Sequence, residues 1–498
     1  PARSPKPIRD RAFEPFPSGS KTTSSASMAR IPTSDIRILP AVRKRILFVV
    51  ALAVALAGCY GGGGYNDYSE GPAAPGGATS VAEYGPGAFS HPAANLSHDD
   101  QSRFRIGDRF FTEPWSAAPG ENPERDGLGP TYLATSCAAC HPADGRSSVP
   151  GTAGDEGAPI LRFTDADGRA SILDAYHIQL QTESIDGVAA EGSLEIDWEI
   201  IQGTYPDGTA YSLRKPIVGV DWGELGSVEG RIASGIRVGP PLIGLGLLEA
   251  IPEVAIRANA DPDDSDGDGI SGRASTVDSP TLGRGVLGRF GAKANVASVE
   301  DQAAIAYLLD LGITTDIHPD ENCPTPQVAC SSSASGGTPE ISADRFRDVV
   351  FYAQTLAVPS RAFADDESVV EGETLFEGLG CTTCHIKRWE TSDHEIPAVS
   401  HQVIYPYTDL LLHDMGPGLS VGRTDGDASA TEWKTPALWG LGLTRSVNAR
   451  AGFLHDGRAR SIEEAILWHG GEAARARDSF KELSAENRSL VLIFLKSL

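Results

Sequence analysis

Basic residues and long hydrophobic runs are scarce in this 498-residue chain. Its 42 Lys and Arg residues stand against 67 Asp and Glu residues, which gives a formal net charge of −25 at pH 7. This excess of negative charge argues against nucleic acid and anionic lipid as binding partners. It favours basic protein partners, and solubility alone is the simpler alternative.

The main apolar run, residues 46–57, is too short to cross a bilayer and follows three basic residues, as the core of a signal peptide does. It ends in Leu-Ala-Gly-Cys, a sequence typical of the lipobox of bacterial lipoproteins. Cys59 is then predicted to carry the lipid, and the protein to be anchored on the periplasmic side of a bacterial membrane, taken here to be the outer membrane. A plain secretory signal with an unmodified Cys59 is the alternative, and it also predicts export.

Cysteine is sparse too, with seven in the chain, but four of the seven fall into two identical patterns. Both patterns have the form Cys-x-x-Cys-His, with Cys137, Cys140 and His141 in the first and Cys381, Cys384 and His385 in the second. This is the attachment motif of c-type haem, in which two thiols bond to the porphyrin and the histidine ligates iron. A redox dithiol or half of a zinc site also contains Cys-x-x-Cys, but neither explains the adjoining histidines. We therefore expect two covalently bound haem c groups.

The remaining pair, Cys323 and Cys330, lies in a stretch rich in proline, serine and glycine. In an exported protein the two are predicted to form a local disulfide. Because the loop they close is short, its effect on stability is expected to be modest.

A second metal signal lies at Asp264, Asp266 and Asp268, whose alternating carboxylates resemble a calcium-binding loop. A full EF-hand loop needs Glu at its twelfth position, where this chain has Ser275. Calcium binding is the prediction, and a solvated acidic turn is the alternative.

The pattern of elements predicts four segments. Residues 1–58 are an upstream extension with the lipoprotein signal peptide, and residues 59–94 are a flexible glycine-rich tether. Residues 95–358 are an N-terminal haem domain with a β-containing insertion at about 194–293, where apolar and polar residues alternate on both sides of a turn at 205–209. Residues 359–498 are a C-terminal cytochrome c-like haem domain, with helical spacing at 367–379 and 478–498. The predicted fold is mainly α, with two cytochrome c-like haem domains.

Several stretches point to one family. They are Asp-Gly-Leu-Gly-Pro at 126–130 before the first haem motif, Tyr-Thr-Asp-Leu-Leu-Leu-His-Asp-Met-Gly at 407–416, Glu-Trp-Lys-Thr-Pro at 432–436, and Phe-Leu-His-Asp-Gly-Arg-Ala at 453–459. Together they closely resemble the bacterial di-haem oxidoreductases of peroxidase type, which are related to di-haem cytochrome c peroxidases. The resemblance covers about residues 95–498.

The resemblance implies a second axial ligand for each haem or an open position at one of them. For the second haem, with His385 as one ligand, it points to His469 as the other, where relatives have Met or Tyr. An imidazole there is expected to lower the reduction potential of this haem. A surface position for His469 is the alternative, and Met415 is the competing ligand.

Local sequence supports a helix that presents His469, because Ser461 and Glu464 have the spacing of a capping box. His413 and His455 are expected to form hydrogen bonds with a haem propionate or the backbone instead of binding iron.

For the first haem, with His141 as its ligand, relatives leave the other face accessible and place a Gln and a Glu near it. Gln181 and Glu191 have the matching separation in this chain. A partly desolvated carboxylate at Glu191 would move the proton that peroxide cleavage requires, and Gln181 would orient the oxidant. His177 is the competitor, because as a sixth ligand it would make this haem purely electron-transferring.

The resulting hypothesis is an exported di-haem oxidoreductase that reduces peroxide, or another small oxidant, at the N-terminal haem. The C-terminal haem relays electrons from a donor protein such as a small cytochrome or cupredoxin. A non-catalytic di-haem electron carrier and a haem oxidase of an organic or protein substrate are the alternatives.

Overall fold

The computed structural model describes residues 71–150, 157–165, 171–227 and 232–498. The predicted signal peptide, Cys59 and the first part of the predicted tether lie outside these residues.

Thirteen α-helices, numbered in chain order, occur in the described residues. They are α1 (His98–Thr112), α2 (Cys137–Cys140), α3 (Ser171–Tyr176), α4 (Leu245–Glu249), α5 (Glu253–Arg257), α6 (Val299–Ala306), α7 (Val328–Ser331), α8 (Ala343–Thr355), α9 (Glu367–Gly378), α10 (Thr444–Val447), α11 (Ile462–Leu467), α12 (Ala474–Glu482) and α13 (Ala485–Ser497). A π-helical turn, Tyr307–Leu311, follows α6 directly.

Twelve strands pair as six separate antiparallel two-stranded sheets in the same part of the chain. They are β1 (Thr131–Tyr132), β2 (Ile160–Asp165), β3 (Glu183–Ser184), β4 (Ser193–Thr204), β5 (Ala210–Asp221), β6 (Ile232–Arg237), β7 (Ser275–Ser279), β8 (Gly283–Gly288), β9 (Trp389–Glu390), β10 (Val403–Ile404), β11 (Leu412–Asp414) and β12 (Glu432–Lys434). The pairs are β1 with β3, β2 with β6, β4 with β5, β7 with β8, β9 with β10, and β11 with β12.

The predicted fold class is wrong. Of the described residues, 31% are helical and 18% are in strands, so the protein is not mainly α with cytochrome c-like domains. Strands also occur well outside the expected insertion at 194–293, as in β1, β9 and β11. These strands have two or three residues, too few for alternation to appear in the sequence, and β1 finds its partner β3 far along the chain.

The long hairpin of β4 and β5 was predicted correctly. Its strands pair from Ser193 with Asp221 to Thr204 with Ala210, and the turn lies at 205–209 as expected. The Tyr205 amide donates to the Thr209 carbonyl over 2.8 Å, and Gly208 has a φ of 88°, which glycine adopts without strain. The turn is tied to α13 by an ion pair of 2.6 Å between Asp207 and Arg488.

Side-chain caps define where the long helices begin. The Ser97 hydroxyl accepts from the Asp100 amide at the start of α1, and the Asp366 carboxylate accepts from the Ser368 amide at the start of α9. The single helix expected at 478–498 is in fact two, because Leu483 is extended and the Ser484 hydroxyl caps α13 by accepting from the Asn487 amide.

Two helix pairs carry the core near the two haem motifs. Helix α1 crosses α8 at Gly107, where a Cβ would lie 2.1 Å from the Asp348 carbonyl oxygen. Helix α9 crosses α13 at Gly372, where a Cβ would lie 2.1 Å from the Leu490 carbonyl oxygen. Each crossing therefore depends on the missing side chain of one glycine. No helix in the described ranges has the length and apolar content that a membrane span needs.

Candidate functional site

Both Cys-x-x-Cys-His segments form a single tight turn. The His141 amide donates to the Cys137 carbonyl over 3.0 Å, and the His385 amide donates to the Cys381 carbonyl over the same distance. One turn of this kind places the first cysteine and the histidine on the same side of the backbone. The two motifs therefore present their thiols and imidazole in the same way.

The four thiols of the motifs are not paired with one another. Burial raises the pKa of all four, for example that of Cys140 and that of Cys381 to about 12 each. A zinc site needs thiolates from both cysteine pairs. Among the described residues, no cluster of metal-binding side chains joins the two pairs. The geometry fits two thioether attachment sites and does not fit one shared zinc site.

The histidines of the motifs are oriented by backbone carbonyls. Nδ1 of His141 lies 2.8 Å from the Pro240 carbonyl oxygen, and Nδ1 of His385 lies 2.9 Å from the Tyr407 carbonyl oxygen. A carbonyl can only accept, so Nδ1 carries the proton and Nε2 keeps its lone pair for a metal. Burial lowers the pKa of both imidazoles, that of His385 to about 4, which keeps them neutral.

A glycine makes room for the first histidine. A Cβ at Gly239 would lie 2.9 Å from Cε1 of His141 and 2.7 Å from the Cys140 carbonyl oxygen. The residue next to it, Pro240, supplies the carbonyl that orients the ring. The segment after β6 is therefore shaped to the first motif, which fits a haem ligand held in one orientation.

His469 has the same arrangement as these two histidines. Its Nδ1 lies 2.8 Å from the Ala465 carbonyl oxygen, one helical turn earlier, and Nε2 is again available to a metal. Ser461 caps α11 by accepting from the Glu464 amide over 3.0 Å, as half of a capping box; the Glu464 carboxylate turns instead to the Arg460 amide. His469 and His385 are also close enough that charge on the former lowers the pKa of the latter.

Met415, the competing ligand, lies next to the segment that follows His469. A Cβ at Gly470 would lie 2.8 Å from the Met415 carbonyl oxygen, and one at Gly471 would lie 2.1 Å from the Asp414 carbonyl oxygen. The loop after β11 thus packs against the chain directly after His469. The structure places both candidates in the same region. The imidazole of His469 is oriented by a backbone carbonyl, as those of His141 and His385 are.

Both ring nitrogens of His413 form hydrogen bonds with carboxylates. Its Nε2 lies 2.8 Å from Asp409 and its Nδ1 lies 2.7 Å from Glu472. Burial acts to lower its pKa, but the hydrogen bonds to Asp409, Cys384 and Glu472 outweigh burial and raise it to about 12. His413 is therefore an imidazolium beside Cys384, with no lone pair for iron. Cys384, Asp409 and His413 have the spacing of a metal site, but Cys384 belongs to the second Cys-x-x-Cys-His motif.

His455 packs flat on an indole. Its ring lies parallel to that of Trp433 with centroids 3.5 Å apart, and its Nε2 is buried without a hydrogen-bond partner. The His455 carbonyl accepts from the Val238 amide over 3.0 Å. The loop that carries His455 is thereby joined to the segment that orients His141.

The structure brings Gln181 and Glu191 together. The backbone amide of Gln181 donates to the Glu191 carboxylate over 2.7 Å, and the backbone amide of Glu191 donates to the backbone carbonyl of Gln181 over 2.9 Å. The side-chain amide of Gln327 donates to the other carboxylate oxygen over 2.6 Å. Burial raises the pKa of Glu191 to about 7, although both hydrogen bonds oppose it. The carboxyl group is only 1% exposed and titrates near neutral pH.

One turn links this pair to the first haem motif. The Gln181 side chain donates to the Leu309 carbonyl over 2.8 Å. The next carbonyl, that of Asp310, accepts from the amides of Leu133 and Ala134, just before Cys137. The charge of Asp310 contributes to the raised pKa of Cys137. The π-helical turn therefore holds the Gln181–Glu191 pair and the first motif in one unit.

Three further residues singled out from the sequence are His177, Cys323 and Cys330. Nδ1 of His177 lies 2.6 Å from the Asn322 amide oxygen, and no described contact joins His177 to the first motif. Cys323 and Cys330 form a disulfide with Cα atoms 5.6 Å apart.

Carboxylate oxygens of Asp264, Asp266 and Asp268 lie within 4.8 Å of one another on the surface. These carboxylates accept hydrogen bonds from backbone amides of the same loop, as Asp264 does from Gly269 and Asp268 from Ile270. Calcium binding there remains a prediction.

Sequence reasoning missed Gln327. It is 5% exposed, and it lies inside the loop that the Cys323–Cys330 disulfide closes. The only available signal was that loop itself, because nothing local relates Gln327 to Glu191.

The match to known proteins agrees with this geometry. The sequence model of the family described as "Di-haem oxidoreductase, putative peroxidase" matches residues 68–175 and 178–498. The chain belongs to this family. Membership implies two haem groups, in agreement with the two motifs and their free thiols. No curated protein matches the chain significantly.

Proposed function

We propose that the protein is an exported c-type di-haem oxidoreductase that reduces peroxide beside Gln181 and Glu191. The observation that carries this proposal is a buried carboxyl group with a pKa of about 7, held by two glutamines in the unit that contains the first haem motif. Such a group is the acid–base catalyst that peroxide reduction needs at neutral pH.

Two sets of residues would hold the haem groups. Cys137, Cys140 and His141 hold the first. Cys381, Cys384, His385 and His469 hold the second. When bound, haem supplies the iron that transfers electrons to the oxidant. The orientation of the three Nε2 atoms by backbone carbonyls supports these assignments.

Glu191 transfers a proton of the oxidant, and Gln181 binds the oxidant through a hydrogen bond. Near neutral pH about half of the Glu191 side chains are ionised, so the group accepts a proton from one peroxide oxygen and returns it to the departing one. The side-chain oxygen of Gln181 is buried and has no hydrogen-bond partner, so it can accept from a peroxide O–H. Thr182, Ala190 and Gly192, their chain neighbours, line a surface depression through which a small oxidant can approach.

Electrons would enter at the second haem from a basic donor such as a small cytochrome or cupredoxin. The net charge of −25 supports a basic partner through long-range attraction. We further propose a periplasmic location with a lipid anchor at Cys59, and calcium at Asp264, Asp266 and Asp268 as a structural ion.

The test is Glu191→Gln, which keeps the shape and removes the titrating group. We expect peroxide turnover to fall by about 10²–10⁴-fold while the content of both haems stays unchanged. Glu183→Gln, on the exposed side of β3, is the matched control and should have no effect. Unchanged turnover in the Glu191 variant would refute the proposal.

Spectra of the ferric holoprotein test the competing electron-carrier function. A high-spin component supports an open position at the first haem. Entirely low-spin spectra that persist after partial reduction would favour a non-catalytic electron carrier. Substitution of His177 would then test whether it is the sixth ligand of the first haem.

A further inference from the structure

Two buried cations lie over one aromatic ring. The Arg237 guanidinium carbon is 4.5 Å, and the Lys293 Nζ 3.8 Å, from the centroid of the Trp433 ring. Arg237 is 8% exposed and Lys293 is 1% exposed. Charges so far from water need partners of opposite charge, because burial of an unpaired ion is costly.

Lys293 has no donor left. Its Nζ donates to the backbone carbonyls of Ser429 and Ala430 over 2.8 and 3.2 Å, and also to the carbonyl of Glu432. These three bonds use all three ammonium protons. They satisfy the hydrogen bonds of Lys293, but carbonyls do not neutralise its charge.

Arg237 does have a donor left. One terminal nitrogen donates to the Ile236 carbonyl over 2.9 Å, while the other, Nη2, is buried without a partner. The neighbouring carboxylates are already engaged, since Asp425 pairs with Arg423 at 3.0 Å and Asp456 pairs with Arg458 at 2.7 Å. Two basic groups and one unused donor therefore remain at this ring, and because burial lowers the pKa of Lys293 to about 7, its ammonium needs an added anion to stay charged.

These cations lie between the two haem-binding segments. Arg237 ends β6, and Gly239 and Pro240, which follow it, contact His141. On the other side, Trp433 pairs across β11 and β12 with His413, whose Nδ1 is 3.6 Å from the Cys384 sulfur.

We propose that Nη2 of Arg237 donates a hydrogen bond to a haem propionate carboxylate, and that Lys293 stabilises the same carboxylate by charge alone. The proposal rests on the two haem groups of the proposed function. A propionate fits because a carboxylate is the partner that two buried cations and one unused donor need, and haem attached to either motif would supply carboxylates. The propionate belongs to the haem of Cys137 and Cys140 or to that of Cys381 and Cys384, and the test distinguishes the two.

Arg237→Gln and Lys293→Met remove these charges. A nearby positive charge favours the reduced iron, so we expect the equilibrium constant for reduction of one haem to fall about tenfold in each variant, equal to about 59 mV for a one-electron couple. The haem whose potential shifts identifies the source of the propionate. Redox titration of the holoprotein followed by its optical spectrum measures both couples.

Resonance Raman spectroscopy separates the hydrogen bond from the charge. The propionate bending band of the same haem should shift in Arg237→Gln and stay in place in Lys293→Met, because Lys293 has no proton to donate. Arg237→Lys keeps the charge and should recover most of the potential, which also covers the case in which Arg237→Gln folds poorly.

Arg289→Gln is the matched control. It removes another buried arginine, one that donates to the carbonyls of Glu249 and Ile251, and both potentials should stay unchanged. Unchanged potentials of both haems in Arg237→Gln and Lys293→Met would overturn the inference. That result would leave the proposed peroxide chemistry standing, because peroxide turnover is measured separately.

Discussion

The two regions around the Cys-x-x-Cys-His motifs are supported by similar helix crossings but differ in the other side chains that lie near them. Near His141, Phe111 and Tyr352 come from the helix pair that crosses at Gly107; near His385, Phe376 and Phe494 come from the pair that crosses at Gly372.

The second region then adds His469, an imidazole in the same carbonyl-held state as His385. The first region adds a carboxyl group and two amides instead. Under the proposed function, one region would offer two ligands to its iron and the other would offer proton-transfer groups, so a few side chains would separate electron transfer from reaction chemistry.

The largest expected effect comes from making the regions more alike. His469→Ala removes the proposed second ligand, so the second haem should change from low-spin to high-spin while the first keeps its spectrum. EPR of the ferric protein measures this. His401→Ala, which removes an exposed histidine paired with Asp393, is the control. A spectrum unaffected by His469→Ala would assign the ligand to Met415.

The pH profile should sharpen the comparison. The first region contains Glu191, a buried acid of pKa about 7, so peroxide turnover should fall about tenfold per pH unit below 7 as this base becomes protonated. The spectrum of the second haem should stay constant over this range. A rate independent of pH between 5 and 7 would contradict the role of Glu191 as the base.

Each of the two helix crossings can be disrupted separately by a substitution at its glycine. In Gly107→Ala or Gly372→Ala the new methyl group meets a carbonyl oxygen at 2.1 Å, so each should lower the free energy of unfolding by about 1–3 kcal/mol. Thermal unfolding of the holoprotein measures the loss, and each change should disturb the spectrum of its own haem first. Gly378→Ala, with nothing within 4 Å of the new Cβ, should be neutral or stabilising by about 0.5–1 kcal/mol.

The smallest expected effect on peroxide chemistry comes from the disulfide loop. Replacing Cys323 and Cys330 together by Ala should lower the free energy of unfolding by about 2 kcal/mol. It should also free Gln327, whose hydrogen bond lowers the pKa of Glu191, so the midpoint of the pH profile should move upward. An unchanged midpoint would mean that packing alone holds Gln327 in place.

Much of the candidate site was predictable, because the motif for covalent haem attachment is local in sequence. The motif needs residues that are neighbours in the chain, so Cys137 to His141 and Cys381 to His385 were evident without any fold. The hairpin of β4 and β5 was evident too, since long alternating strands and their turn are contiguous. The spacing of Gln181 and Glu191 came from the family resemblance.

Pairs of two-residue strands and the fold class were not predictable, because such strands have no periodicity and their partners lie far along the chain. The sequence by itself determined where the two candidate haem-attachment motifs lie, since the pattern depends on adjacent residues. Only the tertiary structure decided that Gln327 holds Glu191, that the Pro240 and Tyr407 carbonyls orient His141 and His385, and that Arg237 and Lys293 lie over the same indole ring. Those relations join residues that are distant in sequence, and the packing of loops and helices alone brings them together.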